Sequence, residues 1–238
     1  MKTLTLLLTG LKLNQILLSG GSMLLSVFTY ALLYGWGYGV GFVGLLLLHE
    51  TGHFLAARQQ GLNVGLPTFL PFVGAWIELK EQPRDAQTEA WIGLAGPLLG
   101  TIAALACYYL ARLTDSSLLL ACSYSGFVLN LFNLIPLHPF DGGRITAVLS
   151  PRLWLIGFPL LLGIFIVHAN PLLLFMALIS FPQVVKAWRY NPDAPENQVY
   201  YAASLGVRLE YAFYYLALIL FLALMCQNVH EMLPASRR

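Results

Sequence analysis

The sequence predicts an α-helical polytopic membrane protein of about six to seven transmembrane helices, with a short re-entrant β segment. Three observations carry this. Of the 238 residues, 58% are hydrophobic and 10% charged, and the mean hydropathy is +0.70; a soluble domain is about one-quarter charged. Apolar runs recur at the length of roughly 20 residues that a bilayer core requires of a helix. One stretch, residues 62–88, breaks that rhythm with prolines, β-favouring residues and then charge.

The elements follow in order. Lys2 and Lys12 precede a first span from about Gln15 to Tyr34. No small-residue cleavage site leads from this segment into a polar domain, so it reads as the approach to a span rather than a signal peptide. Gly35-Trp36-Gly37-Tyr38-Gly39 is expected to form a turn with aromatic anchors. A second span runs from about Val40 to Gln59. Pro67 and Pro71 then exclude helix. Phe72 to Lys80 reads as a strand or hairpin at the interface, and Glu81 to Thr88 as an exposed loop. A third span, about Ala90 to Leu110, carries Gly93, Gly96-Pro97 and Gly100, small residues that permit close helix approach. A fourth starts near Ser117 and breaks at Pro136, Pro139 and Gly142-Gly143. Non-helical backbone at such depth is tolerated where protein or a water-filled cavity surrounds it. Further spans are expected at about 153–169, 171–187 and 207–229, with an exposed loop over 188–206.

Charge and cysteine exclude some classes. A net charge of +2 gives no electrostatic footprint for nucleic acid. Cys107, Cys122 and Cys226 all lie in apolar sequence without CxxC spacing. They read as small buried hydrophobes, not as a disulfide framework or a thiolate zinc site.

The chemistry concentrates at His49-Glu50-Thr51-Gly52-His53. The stretch from Leu13 to Leu48 holds no Asp, Glu, Lys or Arg, and then two imidazoles and a carboxylate arrive together. HExxH on a helix puts both His side chains on one face, where they can share one Zn²⁺, with the Glu as general base. Ionisable groups at membrane depth are costly and point to function. A catalytic zinc needs a third protein ligand. Glu89, Asp115 and Glu210 sit at span edges. Asp141 lies among Pro136, Pro139, Gly142 and Gly143, which loosen the backbone and let a carboxylate turn inward. His138 is its rival; Asp141 is preferred.

The pair HETGH and NLIPLHPFDGG resembles the site-2 protease family of intramembrane zinc metalloproteases. That family's pattern is HExxH on one membrane helix and N-x-x-P-x-x-P-x-D-G on a later one. His49, Glu50 and His53 match the first; Asn133, Pro136, Pro139, Asp141 and Gly142 match the second. Gly96-Pro97 resembles the glycine–proline signature of the helix between them. The resemblance implies that His49, His53 and Asp141 bind one Zn²⁺ per chain and that Glu50 is the acid/base. Asn133 would hold the scissile carbonyl or its oxyanion. It also implies transmembrane protein substrates cleaved within the lipid bilayer; it sets no oligomeric state. Two apolar spans already fill the stretch between His53 and Asp141, so no PDZ domain fits there, as it does in many bacterial members. A single membrane-embedded metalloprotease domain over 1–238, with a catalytic core about 40–145, is expected. Two other readings stand beside it: a membrane metal transporter, and a zinc-containing scaffold that does not cleave. The HExxH glutamate favours hydrolysis.

Charge bias indicates orientation. Lys2, Lys12, Arg58, Lys80, Arg84, Arg144, Arg152, Lys186, Arg189 and Arg208 fall on one side of the expected spans, and Arg112, Arg237 and Arg238 on the other. The first side is expected to be the cytoplasm, in a bacterial inner membrane, with the catalytic end of the second span facing it. Finally, an edge of the segment from Pro67 to Lys80 is expected to take the unwound substrate as an added strand, with Gly74 admitting its backbone and Trp76 anchoring the hairpin.

Overall fold

The computed structural model describes residues 2–72, 74–76 and 80–233, without the side chains of 2–16, 74 and 76. Val73, Ile77, Glu78, Leu79, Arg237 and Arg238, the Lys2 and Lys12 side chains and the Trp76 anchor lie outside the described residues. The chain is an integral membrane protein. Among the described residues, six helical stretches are long and apolar enough to cross a bilayer: Leu17–Tyr34, Trp36–Gln59, Ala86–Thr114, Pro151–His168, Pro171–Trp188 and Leu205–Met232. Their outward faces are rich in exposed Leu, Ile, Phe and Val, as lipid contact demands.

Helix α1 (Lys2–Tyr34) and α2 (Trp36–Gln59) are joined by Gly35 alone, at φ 90°. The expected turn over Gly35 to Gly39 is therefore shorter than the glycine count implied. Only Gly35 leaves the helical region; Trp36 to Gly39 continue as the first turn of α2. Gly39 serves packing instead. A Cβ there would lie 2.8 Å from the Val27 carbonyl oxygen on α1.

Two strands follow, β1 (Thr68–Leu70) and β2 (Gly74–Trp76), paired antiparallel with Phe69 opposite Ala75. Phe72 sits in the turn between them at φ 66°, not within a strand. The hairpin is fastened to α1. Ser22 Oγ accepts from Phe69 N at 3.1 Å, Ser19 Oγ donates to Pro67 O at 2.5 Å, and Tyr30 Oη accepts from Phe72 N at 3.0 Å. Backbone groups that no longer find partners in a helix are thus met by side chains of the neighbouring span.

Asp85 caps α3 (Ala86–Thr114) by accepting from Thr88 N at 2.7 Å. Helix α4 (Ser117–Asn133) is one residue short of the six spanning stretches' minimum and stops where the proline-rich segment begins. After it come α5 (Asp141–Ala147), a single 3₁₀ turn (Pro151–Leu153), α6 (Trp154–His168) and α7 (Pro171–Trp188). The expected loop over 188–206 contains a short helix, α8 (Pro195–Tyr200), started by Pro195. This segment is tied inward: Tyr200 Oη donates to Glu89 at 2.6 Å and Tyr201 is buried. Burial, and then the Glu89 carboxylate, raise the Tyr200 phenol's pKa and keep it a donor at neutral pH. Helix α9 (Leu205–Met232) completes the chain. The main core gathers Phe127, Leu137, Ile145, Trp154, Leu161 and Leu222 between α4, α5, α6 and α9, directly behind the proline-rich segment.

Candidate metal centre

The site lies where α2, α3, α4 and the turn into α5 meet. His49, Glu50 and His53 on α2 are all buried, and their ligand atoms lie within 4.8 Å of one another. The two His side chains stand one turn apart, with ring centroids 4.9 Å apart. Asp141, the first residue of α5, faces both rings. Its Oδ2 is 3.2 Å from His49 Nε2, and its Oδ1 is 3.2 Å from His53 Nε2. The two Nε2 atoms are 3.1 Å apart.

The outer ring nitrogens fix what the inner ones offer. His49 Nδ1 donates to Asn130 Oδ1 at 2.8 Å, and His53 Nδ1 donates to the Ile92 carbonyl at 2.7 Å. Asn130 is itself oriented, because its Nδ2 donates to Gly126 O at 2.7 Å. In their neutral form both imidazoles would therefore turn an Nε2 lone pair toward the Asp141 carboxylate. Three acceptors facing one another repel unless a cation sits among them. Four-coordinate zinc, with bonds of about 2.0–2.2 Å, holds neighbouring ligand atoms roughly 3.3–3.6 Å apart. The observed separations are a few tenths of an ångström from that, so the donor set fits zinc.

Helix α3 makes room for this arrangement with glycines on one face. At Gly96 a Cβ would fall within the His53 ring, and at Gly100 it would meet the Asn130 amide at 2.8 Å. At Gly93 it would meet Arg144 Cβ at 2.9 Å. The small-residue face thus seats site side chains as well as bringing helices together. Pro97 has no N–H for the Gly93 carbonyl and opens the preceding turn, the turn whose Ile92 carbonyl receives His53.

The turn that delivers Asp141 is held from behind. Tyr215 Oη on α9 donates to Leu134 O at 2.5 Å, and Trp154 Nε1 donates to Gly143 O at 2.9 Å. A Cβ at Gly143 would collide with His138 N and Leu137 C. The His138–Pro139 peptide is cis.

The residues singled out in the sequence come together. His49, Glu50, His53, Asn133 and Asp141 all line one cavity of about 200 Å³. Asn133 is half-buried, and its amide makes no hydrogen bond among the described residues. His138, the rival ligand, stands elsewhere, edge-on to Trp154 with centroids 4.8 Å apart. Asn130, Tyr215 and Trp154 were missed by sequence reasoning. For Asn130 a signal existed: an amide in an apolar helix, one turn before Asn133. Replacing Asn130 by Ala should weaken zinc about 10–100-fold, the usual cost of losing such a support. Competition with a fluorescent chelator measures this, and unchanged affinity would deny Asn130 its role.

Residues 38–118 match Peptidase family M50. The zinc metalloprotease MJ0392 of Methanocaldococcus jannaschii is 33% identical over 113 residues, 45% of this chain and 32% of that protein. The probable zinc metalloprotease EGY1, chloroplastic, of Arabidopsis thaliana is 40% identical over 65 residues, 25% of this chain and 12% of its own length. The putative zinc metalloprotease Rip3 of Mycobacterium tuberculosis is 32% identical over 123 residues, 48% of this chain and 31% of its own. The chain spans about a third or less of these curated relatives. Among solved structures, a site-2 protease from Methanocaldococcus jannaschii matches with a TM-score of 0.47 and 22% identity, over 77% of this chain and 89% of that one. Both motifs are in place, and over residues 38–118, about a third of its length, the chain is similar to Peptidase family M50, with zinc metalloproteases among its curated relatives.

Proposed function

We propose that the protein is an intramembrane zinc endopeptidase that hydrolyses peptide bonds within or near transmembrane segments of other membrane proteins. One observation carries the reading. Two imidazoles and a carboxylate converge on a single point within membrane helices, and a further carboxylate, Glu50, lines the same cavity. A transporter or a scaffold needs the ligands and has no task for Glu50.

Each residue has a role. His49, His53 and Asp141 hold the ion. When bound, zinc supplies a Lewis acid that acidifies water and polarises a carbonyl. Glu50 takes a proton from the attacking water and passes it to the leaving amine. Asn133, whose amide has no partner among the described residues, donates to the carbonyl oxygen as negative charge grows there, where one lost donor costs about 2.7–4 kcal/mol. Purified protein reconstituted in liposomes with one zinc per chain should cleave a helical membrane substrate, and a chelator should stop it. Zinc-loaded protein that cleaves no membrane substrate in a broad panel would count against the reading.

The substrate must unwind, because a membrane helix satisfies its own backbone. The β hairpin supplies an edge for it. Phe69 N bonds outward to Ser22, so Phe69 and Ala75 form a pair that exchanges no hydrogen bonds between the strands. The Ala75 N–H and C=O therefore also point outward, along the edge of β2 that has no strand partner among the described residues, and Ala75 lines the catalytic cavity. An extended substrate segment added there would lie beside the zinc. Ala75→Pro removes the outward N–H without breaking the hairpin ladder. It should slow cleavage at least tenfold at unchanged zinc content. A normal rate would remove strand addition from the mechanism.

The cation-rich ends of the helices support a site opening toward the cytoplasm of a bacterial cell. Cysteines placed at Gln60 and Gln198 should then resist a membrane-impermeant thiol reagent added outside. Labelling of both from outside would reverse the orientation.

A further inference from the structure

Arg144 stands between two cavities. It lines the catalytic cavity of about 200 Å³ beside Asp141, and it also lines a wider one of about 1080 Å³ formed by α5, α7, α8 and the start of α3. No other residue is shared by the two linings. Its Cβ is held against Gly93, and the residue is half-buried. Yet its guanidinium makes no ion pair or hydrogen bond among the described residues. The other half-buried arginine, Arg208, is used, donating to the carbonyls of Leu149, Tyr201 and Ala203, and the exposed Arg84 pairs with Asp85. A half-buried guanidinium whose five donors meet no partner among the described residues is open to a ligand, and its planar fork fits a carboxylate.

The wide cavity continues the same charge. Lys186 and Arg189 line it, and neither has a carboxylate within 4.0 Å among the described residues. Its acids are Glu89 and Glu196, and Glu89 is engaged by Tyr200. Three cations face two carboxylates, one already held.

Peptide hydrolysis creates the missing anion. The C–N bond breaks, the oxygen of water joins the carbonyl carbon as a carboxylate, and its two protons end on the leaving amine. A neutral peptide bond becomes an acid within the small cavity, where Arg144 is the one Lys or Arg among the described lining residues. Resting on the proteolytic reading above, we propose that Arg144 is a product-carboxylate subsite. It binds the new C-terminus and draws it toward the vestibule lined by Lys186 and Arg189. Arg144 thereby favours product over substrate, clears the catalytic cavity and opposes the reverse reaction.

The test reads binding rather than turnover. A fluorescein-labelled apolar peptide of alternating Leu and Ala is prepared with a C-terminal carboxylate or a carboxamide. Its affinity is measured for zinc-loaded protein in phosphatidylcholine nanodiscs. Zinc itself contributes some acid preference, so the informative quantity is the acid-to-amide ratio at equal zinc content. Arg144→Gln should lower that ratio about tenfold or more, as expected for loss of a charge-assisted pair. Arg144→Lys should give an intermediate ratio. If both variants fold, hold zinc and keep the wild-type ratio, the subsite does not exist. A second arm adds phosphatidylglycerol to the nanodiscs. Displacement of the acid peptide from wild type but not from Arg144→Gln would identify a lipid phosphate as the occupant and overturn the assignment to product. Absence of cleavage by wild type would sink the protease reading instead, and leaves this ratio measurable.

Discussion

Glu50→Gln should stop cleavage while zinc stays in place. The substitution keeps the shape of the side chain and removes its ability to take a proton. General acid–base groups contribute about 10²–10⁴-fold to a rate, and in the proposed mechanism Glu50 serves twice, at attack and at departure of the amine. The loss should sit near the upper end of that range. Zinc content should not change if, as proposed, His49, His53 and Asp141 fill the three ligand positions, with Glu50 beside them. Removal of a buried carboxylate without a hydrogen-bond partner among the described residues also lowers a desolvation cost. The variant should therefore be at least as stable as the parent. It should also accumulate uncleaved membrane proteins, which cross-linking and mass spectrometry would identify. Loss of zinc from Glu50→Gln would make Glu50 a ligand and dismantle this division of labour.

Much of the arrangement was legible in the sequence because local rules govern it. Apolar runs fix the spans, and the interruption at Pro136, Pro139 and Gly142-Gly143 marks where helix must yield to turn. The HExxH spacing alone puts His49 and His53 on one face. The aromatic and glycine content of Gly35 to Gly39 misled, since each of those glycines except Gly35 fits inside a helix, and Gly39 is there for contact with α1. The helix over Pro195–Tyr200 was hidden by polar composition; its anchorage comes from Glu89 and from the core, both distant in sequence. Asn130 reaches His49 across 81 residues, and Tyr215 reaches Leu134 across another 81. Such contacts obey no period. Gly100 on α3 leaves the gap that Asn130 fills, and which side chain fills such a gap is decided only when the helices meet. Arg144 belongs to the same class. As a sequence feature it was one more positive charge near a span end. Its place between two cavities follows from the turn that Gly142 and Gly143 allow.

Asp141→Ala should strip the site of most of its affinity for zinc, and His138→Ala should not. The contrast follows from where the two side chains lie. Asp141 closes the triangle with both imidazoles at 3.2 Å, whereas His138 packs edge-on against Trp154 and lines the outer vestibule. A whole structural zinc site is worth about 10–16 kcal/mol, so one ligand carries on the order of 3 kcal/mol, or somewhat more than a hundredfold in affinity. The loss at Asp141 should be at least that, since its charge also neutralises the ion in a membrane interior where partners are few. Two imidazoles would remain, held by Asn130 and Ile92, with Glu50 as the one carboxylate beside them among the described residues. Asp141→Asn separates charge from geometry: its oxygen can still reach the ion, so it should retain weak binding and intermediate occupancy. His138→Ala removes an aromatic contact on Trp154 and leaves the Trp154 bond to Gly143, so zinc content should match the parent at a modest cost in stability. Metal content by mass spectrometry, read beside thermal unfolding with and without a chelator, distinguishes these cases. Full zinc in Asp141→Ala together with loss in His138→Ala would exchange the two roles and require the turn at Pro139 to swing the imidazole inward in the metal-bound protein.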